Sequence, residues 1–143
     1  PLAEEEHRLV AAPAWAAHVA RRRTCTPVCT ALEAVPLVST ADDIPVVRRY
    51  WRSEYGRQHP SVGPAMTVPS LHAVVAAVRA GAGYSVLPRS LCEADLASGA
   101  LVRLEVPERP RTTALLLVRR PGAEQNPATM RVAAALTEDS RHW

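Results

Sequence analysis

"VPSLHAVVAAVRAGAGYSVLPRSLCEADLASGALVRL", Val68 to Leu104, changes its hydrophobic period several times within one short stretch. Leu71, Val74, Val75 and Val78 fall at i, i+3, i+4 and i+7, one apolar face of a helix, with Ser70 as its amino cap. Gly81 stands where such a helix ends in a left-handed residue, which glycine adopts without steric cost. "GYSVL" then reads as a strand closed by Pro88. Ser90 and Glu93 have the spacing of a capping box for a helix over Leu91 to Ala97, stopped by Gly99. "ALVRLEV", Ala100 to Val106, returns to strand. His72 and Arg79 share the opposite, polar face of the first helix, so His72 reads as a solvated residue without a catalytic role.

The same alternation continues on both sides. Upstream, "HRLVAAP" (His7 to Pro13) is a strand, and a loop-rich stretch to Glu33 holds one short helix near Ala14 to Ala20. "VPLVS" (Val35 to Ser39) is a second strand. "ADDIPVVRRYWRSEYG" opens with Asp42 and Asp43, carries Pro45 in its first turn and buries Val47, Tyr50, Trp51 and Tyr55, with Arg48, Arg49 and Arg52 toward water. Gly56 ends that helix, and "VGPAMTV" (Val62 to Val68) is a strand. Downstream, Ala114 to Val118 is a strand expected to be covered on both faces, and Asn126 with Pro127 opens a last helix. Alternating strands and helices predict parallel pairing and right-handed crossovers. The middle of the chain, about Leu32 to Arg109, has enough elements to close a sheet of its own. "HRLVAA", "TTALLLV" and the last helix cannot cover one another, so part of a second lobe is expected to be absent.

Composition narrows the function classes. The chain has 143 residues, 48% of them apolar, enough for a real core. All 17 basic residues are arginine, a codon signature of a GC-rich bacterium, and they are scattered under a net charge of only +3. This argues against a nucleic-acid surface within the chain. No apolar run approaches the roughly 20 residues of a membrane helix, and "PLAEEEHRLV" lacks the layout of a secretory signal. The first residue is not methionine, so the chain reads as processed or as a piece of something longer. Cys25, Cys29 and Cys92 form no framework and suit a reducing cytoplasm. "TCTPVCT" reads as a solvent-facing loop with two incidental thiols and no metal site.

No catalytic set emerges. "GYSVL" lacks the strained elbow of a hydrolytic serine, and "GAG" follows a helix and precedes a strand, the reverse of the dinucleotide-binding order. Asp42 and Asp43 are accounted for by the helix dipole.

The stretch Val68 to Leu104 resembles the effector-binding domain of LysR-type transcriptional regulators, with Gly81, Gly83, Pro88, Ser98, Gly99 and Leu101 in register. The resemblance extends outward: "PLAEEEHRLVAAPAW" resembles the strand crossing between lobes, and "RTTALLLVRR" plus the last helix resembles the return crossover. Two places depart from the family, "VPS" at a helix entry and "HVARRRTCTPVCTALEAV", which leaves the conformation of residues 18–34 open.

This resemblance implies an α/β fold of the type-II periplasmic-binding-protein kind, one complete lobe plus part of a second. Residues 1–20 would be a partial first lobe and first crossover strand, 21–110 the second lobe, and 111–143 the return crossover and closing helix. It implies a small-molecule effector, anionic in character, and a homo-oligomer, dimer or tetramer. DNA would be bound only through a missing N-terminal domain, in the cytoplasm, with no membrane, metal or cofactor. The implied cleft wall is Ser39 and Thr40, Pro69 and Ser70, and Gly83, Leu87 and Pro88. A free-standing solute-binding protein or an enzyme on the same two-lobed fold is the alternative. The chain alone is also expected to bind weakly, if at all, and to self-associate through exposed strand edges.

Overall fold

Nine residues, Ala3–Ala11, form the longest described strand, β1, and most other strands are organised around it. The structure is a computed structural model and describes residues 1–24, 27–56, 63–105 and 111–140. Along β1 the side chains alternate, as a strand requires. Leu9 and Ala11 enter one apolar cluster, Val10 enters another, and all three are fully buried. The chain then runs through α1 (Pro13–Arg22), α2 (Val28–Leu32), β2 (Val38–Ser39), α3 (Pro45–Tyr55), β3 (Met66–Thr67) and α4 (Leu71–Arg79). It continues through β4 (Tyr84–Pro88), α5 (Arg89–Ser98), β5 (Val102–Arg103) and β6 (Arg111–Leu115), and ends in α6 (Pro127–Asp139).

The expectation of parallel pairing is corrected at the centre. β1 is antiparallel to β4, with His7 opposite Pro88 and Ala11 opposite Tyr84, and on its other side it is antiparallel to β5 and β6. Parallel pairing is kept by β2 and β3, Val38 opposite Met66, and by the bridge from Leu37 to Tyr84 that joins this pair to β4. Ser85, buried in that seam, donates its hydroxyl to the Val38 carbonyl at 2.8 Å, so its burial leaves no unmet bond. The middle of the chain therefore does not close its sheet alone, because β1 supplies the strand between β4 and β5.

Helices cover both faces. Val19 of α1, Ala31 and Leu32 of α2 and Val47, Tyr50 and Trp51 of α3 pack with Leu9 on one side. Trp51 stacks on Tyr84 with ring centroids 5.9 Å apart, which fastens α3 to β4. Val74 and Val78 of α4 and Cys92 of α5 pack with Val10 and Leu87 on the other. Cys29 is buried within α2 instead of lying on a solvent-facing loop, since Pro27 starts a helix there; Cys25 lies outside the described residues. Ser70 does cap α4, accepting from the Ala73 amide at 3.5 Å.

Three further expectations change. Pro13 begins α1 and does not end a strand, its missing N–H costing nothing at the first helical position. α5 begins at Arg89 without the capping box: Glu93 pairs with Arg89 at 2.6 Å, and the Ser90 hydroxyl donates to Glu5 at 2.8 Å. The run from Ala114 to Val118 is strand only as far as Leu115 and is not covered on both faces, with Leu116 64% and Val118 81% exposed. α6 leaves Val132 60% exposed as well and buries Ala133.

Two glycines make a stability test. Gly81 has φ +90° with open space around it, whereas at Gly83, φ +153°, an added Cβ would overlap the Pro36 carbonyl that accepts from the Tyr84 amide. Gly81→Ala is expected to cost about 1–2 kcal/mol from backbone conformation alone. Gly83→Ala should add an overpacking cost of about 1–3 kcal/mol. Urea unfolding of the two variants checks the order.

Candidate functional site

β2, β3 and β4 point the same way, so their carboxyl ends finish on one edge of the sheet. The helices that follow them, α3, α4 and α5, present their amino ends there. Since β1 runs in the opposite sense, its first half reaches the same edge, with His7 opposite Pro88. An edge of this kind concentrates free amide N–H groups and the positive ends of helix dipoles, and suits a polar or anionic ligand.

Pairing of β2 with β3 brings four of the sequence-derived residues together. The Val68 amide donates to the Ser39 carbonyl at 2.9 Å, setting Ser39 and Thr40 beside Pro69 and Ser70. Ser39 is buried and its hydroxyl accepts from the Ala41 amide at 3.4 Å; Thr40 is half-buried, and Pro69 and Ser70 are exposed. Asp42 accepts from the Thr67 hydroxyl at 2.6 Å, and neither Asp42 nor Asp43 lies in the first turn of α3. For Asp42 the dipole account is therefore replaced by a tie between the ends of β2 and β3. Ile44, the residue before α3, is buried in a left-handed conformation with φ +43°. Such a backbone is costly for a β-branched residue and is held here by the core around it.

The other three residues part company. Pro88 stays on the edge, half-buried against β1. Leu87 points into the cluster of Val10, Val38 and Val74 and is fully buried. Gly83 lies at the opposite end of β4, where the room left by its missing side chain is taken by Pro36.

A cavity of about 510 Å³ opens between α3 and the paired strands β1 and β6, lined by His7, Pro45, Val46, Arg49, Tyr50 and Thr113 among others. Arg49 is exposed, yet its guanidinium reaches β6 and donates from Nη1 to the Thr113 hydroxyl at 3.2 Å. Burial holds the His7 imidazole below its ordinary value of 6.5; Arg49 adds to the depression and Glu5 opposes it. These residues stand 42 and 64 positions apart along the chain (His7 to Arg49, Arg49 to Thr113), beyond any local motif. Strand parity was the one available signal, because His7 shares the face of Leu9 and Ala11 that packs on α3.

Burial pushes the Cys92 thiol up to about 11, which leaves little thiolate near neutrality. Among the described residues no group of three or more His, Cys, Asp or Glu could hold a metal ion, and no helix is long and apolar enough to cross a membrane.

Comparison with known proteins gives these features a context. The family described as LysR substrate binding domain matches residues 1–141. The chain is 37% identical over 143 residues to the HTH-type transcriptional regulator AbaB of Streptomyces antibioticus, covering 100% of this chain and 47% of that protein. It thus spans about half the length of the curated relative it matches. Among solved structures it is similar to the C-terminal domains of a LysR family protein from Agrobacterium tumefaciens, with a TM-score of 0.73, 24% identity, and coverage of 99% of this chain and 64% of that one. Full-length LysG from Corynebacterium glutamicum with bound effector Arg is similar over 97% of this chain and 44% of that one, with a TM-score of 0.64 and 20% identity. At these identities the two structures show likeness of fold.

His7 gives the edge a pH signature. With its folded value below 6.5, the unfolded chain binds the extra proton first on acidification, so His7's contribution to stability is complete above that value and is lost as pH falls below it. Urea unfolding at about pH 7.5 and about pH 5.5 is expected to show a larger loss for the native chain than for His7→Gln. Equal losses would mean that His7 is not held neutral by the fold.

Proposed function

Since the chain belongs to the LysR substrate-binding domain family, we propose that it is the effector-sensing part of a LysR-type transcription regulator. The observation that carries this reading is the edge where Ser39, Thr40, Pro69 and Ser70 meet at the carboxyl ends of two parallel strands, in a chain matched by that family over 1–141. A small anionic effector lies across this edge, held by hydroxyls and by the amino ends of α3 and α4. That LysG was solved with a bound effector supports a small-molecule role for the fold. The role is binding and not catalysis.

The rest of the regulator is assigned on the same basis. On this reading DNA is bound through an amino-terminal domain, in the cytoplasm, as in a LysR-type regulator; the chain itself spans 47% of the length of AbaB. The whole protein works as a homo-oligomer, dimer or tetramer. Residues 21–110 form the effector-facing lobe, with 1–20 and 111–143 as the crossovers and the part belonging to the other lobe; the second half of β1 is built into the effector-facing lobe as well. Effector binding favours one angle between lobes, and the oligomer carries that preference to the DNA-binding arms.

The test is a thermal-shift screen of small carboxylates on the full-length regulator. At least one is expected to raise the midpoint, since a ligand at 100 times its Kd adds about 2.7 kcal/mol. Thr40→Val and Ser70→Ala should each weaken that ligand by about two- to thirteenfold, the loss of a hydrogen bond of about 0.5–1.5 kcal/mol. A ligand bound equally well by both variants would place the effector elsewhere.

A further inference from the structure

We infer that the Glu5 carboxylate is a latch, which caps α5 from the β1–β6 ribbon and so fixes the direction in which that ribbon leaves the effector-facing lobe. The first N–H groups of a helix have no partner within it. Pro88, the residue before α5, carries no side-chain acceptor, and it leaves the helix without a side-chain cap of its own. Glu5 takes that place from 85 positions away, accepting from the Ser90 amide at 3.2 Å and from the Ser90 hydroxyl at 2.8 Å. Ser90 is the second residue of α5, and its amide is one that a capping side chain ordinarily receives. The negative charge also meets the partly positive end of the helix. Arg89, the neighbouring cation, is occupied by Glu93, to which it donates from Nε at 2.9 Å and from Nη2 at 2.6 Å.

The place of this contact gives it a second role. β1 pairs with β4 only as far out as His7, opposite Pro88, and Glu5 stands two residues beyond, opposite Thr113 of β6. Glu5 is thus on the ribbon and Ser90 on the lobe. Neither apolar cluster includes a residue of 3–6 or 111–115, so the core does not set the ribbon's course. A cavity of about 480 Å³, lined by Ala3, Glu5, Arg89, Ser90 and Leu115 among others, opens between the ribbon and α5 beside the contact. The tie across this gap is polar, and so are its companions. Glu6 is held by Arg8 at 3.1 Å and by Arg103 of β5 at 3.7 Å, and Thr113 accepts from Arg49 at 3.2 Å. Polar ties within reach of water are individually weak, so they hold one direction while leaving others accessible. On the effector-sensing reading proposed above, on which this consequence rests, Glu5 sets the angle between lobes from which an effector starts. It also occupies the amino end of α5, which leaves those of α3 and α4 to the effector.

Solvent-exchange NMR and residual dipolar couplings on the 143-residue chain test the latch in Glu5→Ala and Ser90→Ala. Glu4→Gln, at an exposed acid on the same strand, controls for lost charge. In Glu5→Ala the Ser90 amide should exchange about two- to thirteenfold faster, the loss of one hydrogen bond. Couplings of residues 3–6 and 111–115 should shrink as the ribbon samples more directions, while those of residues 84–87 in β4 keep their native values. Ser90→Ala changes an exposed position, leaves β1 intact and should give part of the same shrinkage. Glu4→Gln should behave as the native chain. The inference is overturned if Glu5→Ala leaves the Ser90 exchange rate unchanged, if the ribbon couplings stay native in both variants, or if Glu4→Gln loosens the ribbon as much as Glu5→Ala. No effector enters these measurements, so the latch stands or falls separately from the effector reading.

Discussion

Leu9, Val10 and Ala11 are each fully buried, and each is paired on both sides or packed between two layers of helices. No other described segment touches as much of the molecule. The pairing with β4 and β5 completes the sheet that both helical layers need, while a few residues earlier the same strand leaves the sheet to pair with β6. One strand is thus the spine of the lobe and half of the ribbon that leaves it. Antiparallel entry of β1 among parallel strands follows from this: a strand arriving from outside the lobe runs against the strands made by its internal strand-helix repeats. The direction matters for function because it places His7 and Glu5, not Leu9 to Ala11, on the edge where β2, β3 and β4 end.

Features decided by neighbours in sequence were legible from sequence. The α4 stripe of Val74 and Val78, the Ser70 cap, the turn at Gly81 and the α3 face of Val47, Tyr50 and Trp51 all depend on residues within one or two helical turns. The family resemblance read from Gly81 to Leu101 rests on such local features, and the match over 1–141 agrees with it. Misreadings came where a distant partner outcompeted a near one. Ser90 and Glu93 had the spacing of a capping box, but Glu5, 85 residues away, takes the serine and Arg89 takes the glutamate. Gly83 looked like an opening for a ligand, and the approach is made instead by the Pro36 backbone. Leu87 follows the same rule: strand alternation places it on a face, and only the fold decides that this face is core.

The edge and the cavity share one physical origin. Parallel strands carry helix amino ends to one side of the sheet, and the reversed β1 brings ribbon side chains to the same side. A ligand bound there, as proposed, would touch groups on both α3 and the ribbon, so its binding energy would depend on how the ribbon leaves the lobe. This is the coupling a sensor requires, since a ligand shifts a conformational balance only by binding one arrangement better than another. Leu116 and Val118, which follow β6, and Val132 of α6 are exposed.

Native-state amide hydrogen exchange measured residue by residue tests the central position of β1 most directly. Amides of residues 8–11 that pair with β4 and β5 are expected to exchange only with global unfolding, together with those of β4. Those where β1 pairs with β6, residues 3–6, should open earlier and with less free energy. Exchange of residues 8–11 well before β4, as a frayed end would show, would mean that the lobe closes without β1 and would contradict the account.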